Sequence, residues 1–423
     1  MRVLKIFDGE YPWDVRVEKV TRSLVAAGHE VVLVCRNKAG RACSERLPDG
    51  TVVERLPGTT GRWNFLSFPF FFNPLWIWTV VRTTLRFKPD LVLARDLPIA
   101  PLGILAGRIA GVPVVADLAE PYPDSLRTNL KLARPGKLDY LVRNPDLAEM
   151  VERFVLRRIE CAVVVCPEAG YRLERQGLPK DAWVEVRNTA ILSRFVPAGE
   201  SPEAVRGFEG RTLVLFSGLI SHDRGVEVAI DAIARLRARQ PGRFGLLIVG
   251  EGPMRGELQE RVRALGLEKD VRLAGWMDYA KLPDVVTHSD IGILPFHDCE
   301  HIRASLANKL FEYMALGLPI IASDIPVQTR IVKDTGCGLV FPPNDAEALA
   351  EAMLRLADDR DFAQGCAEAG RRATQSLYNW DVDGARIVGT LEAVERRGVG
   401  TTVLPANLRG PARLAAEVGR IAP

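Results

Sequence analysis

The sequence predicts an α/β protein of two doubly wound domains. Short β-branched runs alternate with amphipathic helical stretches from end to end. The alternation comes as two series separated by a polar lapse, and 423 residues exceed what one ordinary core holds.

In the first series, Val3–Phe7, Val31–Cys35, Leu91–Ala94, Val112–Ala116, Ala162–Cys166 and Trp183–Val186 read as buried parallel strands. Between the first two lies the helix pattern Val17–Ala27, closed by Gly28. The second series comprises Thr212–Ser217, Gly245–Val249, Val271–Ala274, Ile291–Leu294, Ile320–Ala322 and Gly338–Val340. Its helical partners include the stretch after Gly225 and the one after Leu306. The expected organisation is an N-terminal domain at 1–189, a linker at 190–209 and a C-terminal domain at 210–376. A helix at 377–397 returns to the first domain, and a flexible tail fills 398–423. Two Rossmann-like domains facing a central cleft follow, with ligands beyond the carboxyl ends of the strands.

Composition removes several function classes. The 56 Lys and Arg against 53 Asp and Glu leave +3, too little for a nucleic-acid binder. Seven scattered Cys lack zinc-ribbon spacing or a disulfide framework, which implies reduced thiols and a cytoplasmic setting. The start, MRVLKIF, runs straight into a strand without a signal-peptide pattern. No apolar run reaches the roughly 20 residues that a spanning helix needs.

Ser305–Ile325, SLANKLFEYMALGLPIIASDI, is the most informative stretch. Read as a helix from about Leu306, it places Ser305, Lys309 and Glu312 on one face. Its N-terminus offers free N–H groups to a phosphate, Lys309 a positive charge, and Glu312 an acceptor for a ribose diol. Upstream, Gly218 lets the backbone approach an anion. Arg224 supplies a charge-assisted bond or is a surface arginine at a helix start. Gly250 opens Gly250-Glu251-Gly252-Pro253, which fails the dinucleotide fingerprint because Arg255 occupies the third glycine position. It is equally a ligand contact or a tight turn into a helix. Trp276 reads as a lid on a base or as packing.

In these segments the chain resembles the family 4 glycosyltransferases, over about its first 390 residues. NKLFEYMA-x-G-x-P followed by two apolar residues and Ala-Ser is the donor-site segment of one large subgroup. LVLFSGLISHDRGVEVAIDAIARL, LLIVGEGPMRGEL and VRLAGWMDYAKLPDVVTHSDIGILPF resemble the family's other donor-side segments, in the family's order. The resemblance implies the GT-B fold and a nucleotide diphosphate sugar as donor. It implies Glu312 as the ribose ligand and a diphosphate received near Gly218. Retaining transfer in that family is thought to need no enzymic nucleophile, the leaving diphosphate helping to deprotonate the acceptor.

On the acceptor side, Gly9, Asp14 and Arg16 lie in the loop DGEYPWDVR after the first strand. Asp14 reads as a helix cap or an acceptor contact, and Arg16 as a phosphate or acceptor ligand or a structural ion pair. Asp117 and Glu120, in DLAEPYP, are the candidate catalytic carboxylates, with helix capping and surface placement as their alternatives. There the sequence departs from the family, whose sugar-contacting His position is Ala119. The family's second acidic residue, eight positions before Glu312, is Ala304, and Leu219 stands where many members have Arg.

Residues 62–78 hold eight aromatics, and Arg82, Arg86 and Lys88 follow. Pro69 and Pro74 forbid a spanning helix, so 62–88 reads as an interfacial segment at the inner face of a membrane or as an aromatic subcore. His297-Asp298-Cys299-Glu300-His301 matches an inverted zinc-protease signature. It follows a strand instead of lying in a long helix, so His297 is read as a donor-sugar contact. The expectation is a retaining glycosyltransferase, hexosyltransferase-like, moving a sugar from a UDP- or GDP-sugar to a glycan or lipid-linked acceptor in cell-surface polysaccharide or glycolipid synthesis. It needs no metal and no other cofactor. The rival is a catalytically silent subunit of the same fold, motivated by Ala119 and Ala304; a nicotinamide oxidoreductase is a weaker one.

Overall fold

The computed structural model describes residues 1–12, 14–57, 73–132, 143–400, 404–405 and 408. The chain divides into two compact units, residues 1–187 with 383–423 and residues 188–382.

The first unit is built on β1 (Arg2–Glu10), β2 (Glu30–Arg36), β3 (Ser44–Arg46), β4 (Val52–Arg55), β5 (Leu91–Arg95), β6 (Val114–Asp117), β7 (Cys161–Val164) and β8 (Trp183–Glu185). Their order is β3-β4-β2-β1-β5-β6-β7-β8, all parallel except β3 against β4. Val3, Leu4, Ile6, Leu91, Val92 and Leu93 are fully buried, because helices on both faces of a parallel sheet leave its strands no wet side. Strand order reverses between β1 and β5.

The observed strands depart from the sequence reading in several places. β6 begins at Val114 because Pro113 has no N–H for the ladder. β7 ends at Val164, and Cys166 instead precedes the helix Pro167–Arg175, whose first residue is the proline. β3 and β4 carry no apolar alternation that marks them, since β3 is wholly exposed. The signal is the turn Pro48-Asp49-Gly50, where Gly50 has φ +91° and Leu47 N–H donates to Thr51 O at 2.8 Å. The helix Trp380–Arg397 starts on Asn379, whose Oδ1 accepts from Val382 N–H at 3.0 Å. Its buried Ile387, Leu391 and Val394 and the 3.1 Å contact of Glu392 with His29 tie it to the first unit. The interfacial residues 62–72 and most of the tail 398–423 lie outside the described residues.

The second unit carries β9 (Thr212–Ser217), β10 (Phe244–Val249), β11 (Val271–Gly275), β12 (Ile291–Leu294), β13 (Ile320–Ser323) and β14 (Gly338–Phe341). Their order is β11-β10-β9-β12-β13-β14, every pair parallel. The order reverses between β9 and β12, so the loops after these two strands flank the crevice where such sheets bind ligands. Residues 190–209, read as a linker, are held to this unit: the N–H groups of Ala198, Gly199 and Glu200 donate to the Asp284 carboxylate.

Candidate functional site

The loop after β9 begins at Gly218, whose φ of +125° an L side chain rarely adopts. A Cβ there would stand 3.1 Å from Lys309 Nζ, so the glycine keeps the backbone open beside the ammonium. Gly250, after β10, has φ +141°, and a Cβ on it would lie 1.9 Å from the Gly218 carbonyl oxygen. The two glycines let adjacent loops nest, which places Gly250 as a packing requirement.

Lys309 and Glu312 rise from the helix Asn308–Leu316, both buried. Lys309 Nζ lies 3.5 Å from the centroid of Phe216, at the end of β9, and 5.4 Å from that of Phe296. Arg224 stands 4.9 Å over the same Phe296 ring. Burial, with Arg224 beside it, holds the Lys309 ammonium well below its ordinary pKa. Two cations sharing an aromatic floor in a desolvated corner make a site for an anion. Glu312 accepts a hydrogen bond from the Tyr279 hydroxyl at 3.0 Å. Tyr313 packs behind: its hydroxyl takes the Ser217 N–H at 2.9 Å, and its ring fills the space a Cβ on Gly292 would need.

Asp223 orders the loop around Arg224. Its carboxylate receives the Ser221 hydroxyl at 2.5 Å and lies 3.4 Å from Arg224 and 3.6 Å from His301. Burial alone would raise this carboxyl, but His301, Arg224 and Ser221 outweigh it and hold it well below the usual range. His297 donates its backbone N–H to Asp223 O at 3.1 Å. Its ring is engaged on both nitrogens, by Glu227 at 2.5 Å and by Asn344. The hydrogen bond that its Nε2–H donates to the Glu227 carboxylate raises the imidazole above its ordinary pKa.

In the first unit Asp117 is wholly buried at the end of β6. Arg16 grips it with Nε at 3.0 and 3.1 Å and Nη2 at 2.8 Å, and sends Nη1 to Val186 O at 3.0 Å. Asp14 accepts the Val17 N–H at 2.8 Å and caps the helix Val15–Ala26. Glu120 is exposed, Ala119 buried. Gly9 accommodates Phe7, whose ring atoms would lie 2.3 Å from a Cβ there.

Two family models match the chain, Glycosyl transferase 4-like domain over residues 14–189 and Glycosyl transferases group 1 over 200–373. The chain is a GT-B glycosyltransferase of the family 4 type. Among curated relatives, the transferase is 26% identical to glycogen synthase of Mycobacterium tuberculosis over 404 residues, covering 90% of this chain and 92% of that one. It is also 26% identical to alpha-D-kanosaminyltransferase of Streptomyces kanamyceticus, covering 67% and 72%. Sucrose-phosphate synthase from Thermosynechococcus elongatus shares its fold, with TM-score 0.74, 19% identity, and 92% and 97% of the two chains covered.

The structure groups Gly218, Arg224, Lys309 and Glu312 of the transferase and separates others from them. Ser305 precedes the helix, its N–H bonded to Ile302 O at 3.3 Å. The helix opens only after Ala307, whose extended backbone (φ −78°, ψ 126°) forms the N-cap, so Ser305 does not share its face. Ala304 is buried. Trp276 is 74% exposed and lines a surface hollow with Arg272 and Lys281. The aromatic that reaches Glu312 is Tyr279, three residues on. Phe216, Phe296, Asp223 and Tyr279 escaped the sequence reading. Only tertiary proximity marks them, although Asp223 sits beside Arg224 in the motif already singled out. Arg16 forms the structural ion pair that is one reading of it, and its partner is Asp117, which pairs instead of capping a helix. His297 and His301 turn to different partners, Glu227 with Asn344 and Asp223, while Glu300 is exposed.

Proposed function

We propose that the transferase takes its sugar from a UDP- or GDP-sugar held by the second unit and passes it, with retention, to a glycan or lipid-linked acceptor. The observation that carries the donor reading is the convergence of Lys309, Arg224 and Glu312 beside the open backbone of Gly218 at a topological switch point. Lys309 and Arg224 neutralise the diphosphate, with the uncapped N-terminus of Asn308–Leu316 adding positive potential. That charge stands where other transferases use a divalent ion, so we propose turnover without added metal. Glu312, oriented by Tyr279, takes the ribose hydroxyls. Stabilising the leaving diphosphate is the chief electrostatic contribution the chain's own residues make.

The acceptor reading rests on the helix Pro74–Phe87. Trp78 and Leu85 are more than half exposed, with Ile77, Val81, Arg82 and Arg86 alongside. Arg82 stacks 5.2 Å from the Trp78 ring. Apolar bodies with flanking cations suit an anionic headgroup layer, and we propose peripheral contact there. No helix among the described residues is long and apolar enough to cross a membrane. Failure to sediment with anionic vesicles at low salt refutes the contact.

The donor is tested by thermal stabilisation with UDP, GDP, ADP, NAD and UDP- or GDP-sugars, with Glu312→Ala as control. At about a hundred times its dissociation constant a ligand adds roughly 2.7 kcal/mol. One nucleoside diphosphate that stabilises the protein, and does not stabilise the variant, supports the reading. No shift with any nucleotide supports the silent subunit instead.

A further inference from the structure

Phe7 on β1 pairs with Arg95 on β5, so Asp8 and Asp96 follow side by side at the carboxyl edge where the first sheet reverses its strand order. Arg95 is 93% buried, and its Nε and Nη1 make no hydrogen bond among the described residues. Its guanidinium lies 3.5 Å from Asp117, 3.6 Å from Asp96 and 4.0 Å from Asp14, beyond good hydrogen-bonding length. Asp117 is already held by Arg16. Asp14 and Asp96 keep 30% and 26% of their side chains exposed and Glu120 is open, so the group faces outward on that side. Asp96 also takes φ +69°, ψ 158°, a backbone that L residues rarely adopt.

Donors without hydrogen bonds beside crowded carboxylates suit a hydroxyl, which accepts from a guanidinium and donates to a carboxylate at once. Vicinal hydroxyls on a sugar or cyclitol ring repeat that pattern at the spacing of neighbouring side chains. We propose that Arg95 and Asp96, with Asp8 and Glu120 beside them, form a polyol subsite that holds the acceptor of the transferase. This rests on the proposed function only in naming the polyol as acceptor. Burial pushes the Asp8 carboxyl up to about 6 and that of Asp96 to about 8 despite Arg95, as expected of acids crowded together without enough partners.

The test is saturation-transfer NMR on the full chain, with methyl α-D-glucopyranoside, methyl α-D-mannopyranoside and myo-inositol as probes. The nucleoside diphosphate that stabilises the protein is present and observed in the same spectra. The subsite requires at least one probe to bind the wild type. Asp96→Asn and Arg95→Lys then weaken that probe at least tenfold while the nucleotide signal stays within twofold. Glu120→Gln, at an exposed position that cannot unfold the sheet, weakens the same probe severalfold. The proposal is overturned if no probe binds the wild type, if Glu120→Gln and Asp96→Asn leave the probe unchanged, or if probe and nucleotide signals fall together. A probe that binds through Asp96 in a protein that binds no nucleotide leaves the subsite standing and removes the donor reading.

Discussion

Lys309→Met separates what the proposed donor site does for binding from what it does to stability. In the wild type the ammonium is buried between Phe216 and Phe296, with Arg224 close enough to depress its pKa. Methionine keeps the aromatic contacts and removes the desolvated charge. The free protein gains on the order of 1 kcal/mol. For a unit of the size of 188–382 this is about 2–4 °C in the unfolding midpoint. On the proposed donor reading the same change deletes a charge-assisted contact to the diphosphate, about 1.5–3 kcal/mol. At 1.4 kcal/mol per tenfold this weakens nucleotide binding roughly 10- to 150-fold. Ligand at about a hundred times the wild-type dissociation constant then stabilises a variant weakened roughly fiftyfold by only about 0.6 kcal/mol, against about 2.7 in the wild type. Calorimetric titration of the stabilising nucleoside diphosphate and a melting curve without ligand read the two effects. Undiminished affinity refutes Lys309 as a diphosphate ligand. A free variant that melts several degrees lower refutes the account of its burial.

Gly250→Ala forces a methyl group to within 1.9 Å of the Gly218 carbonyl at a φ of +141°. It should cost about 3 kcal/mol or more, seen as a lower urea midpoint, with nucleotide affinity falling as the Gly218 loop moves. Asp117→Asn leaves the Arg16 guanidinium buried without its counter-charge and should cost about 3–5 kcal/mol in urea unfolding. A neutral outcome would show that this pair opens to solvent. The His297–Glu227 contact makes one stretch of the stability curve pH-dependent. An imidazole raised above its ordinary pKa stabilises fully below about 6.5, and that part is lost as pH rises through the raised value. Wild type minus Glu227→Gln should therefore be larger at pH 6 than at pH 9 in urea midpoints, and an equal difference at both would sink the ion-pair account.

Local patterning settled most of the architecture. Continuous apolar runs bounded by turn residues located twelve strands close to their observed positions, since a parallel strand buried on both faces shows its burial in its own letters. The exposed β3 and its partner β4 were missed, their pairing depending on a turn and an edge instead of apolar pattern. That Lys309, Glu312, Arg224 and Gly218 deserve notice was legible, because glycine, cation and acid recur there at short spacing around strand ends. Which of them meet, and over what floor, was not. Phe216 on β9 and Phe296, just past the end of the neighbouring β12, stand eighty residues apart in the chain, and Tyr279 reaches Glu312 from another loop. Likewise nothing near Asp117 in the sequence says that Arg16, a hundred residues earlier, closes on it and leaves Arg95 beside Asp96. Short-range letters encode backbone conformation and burial, whereas the partners of a buried charge are fixed only when the sheet brings distant strand ends into register.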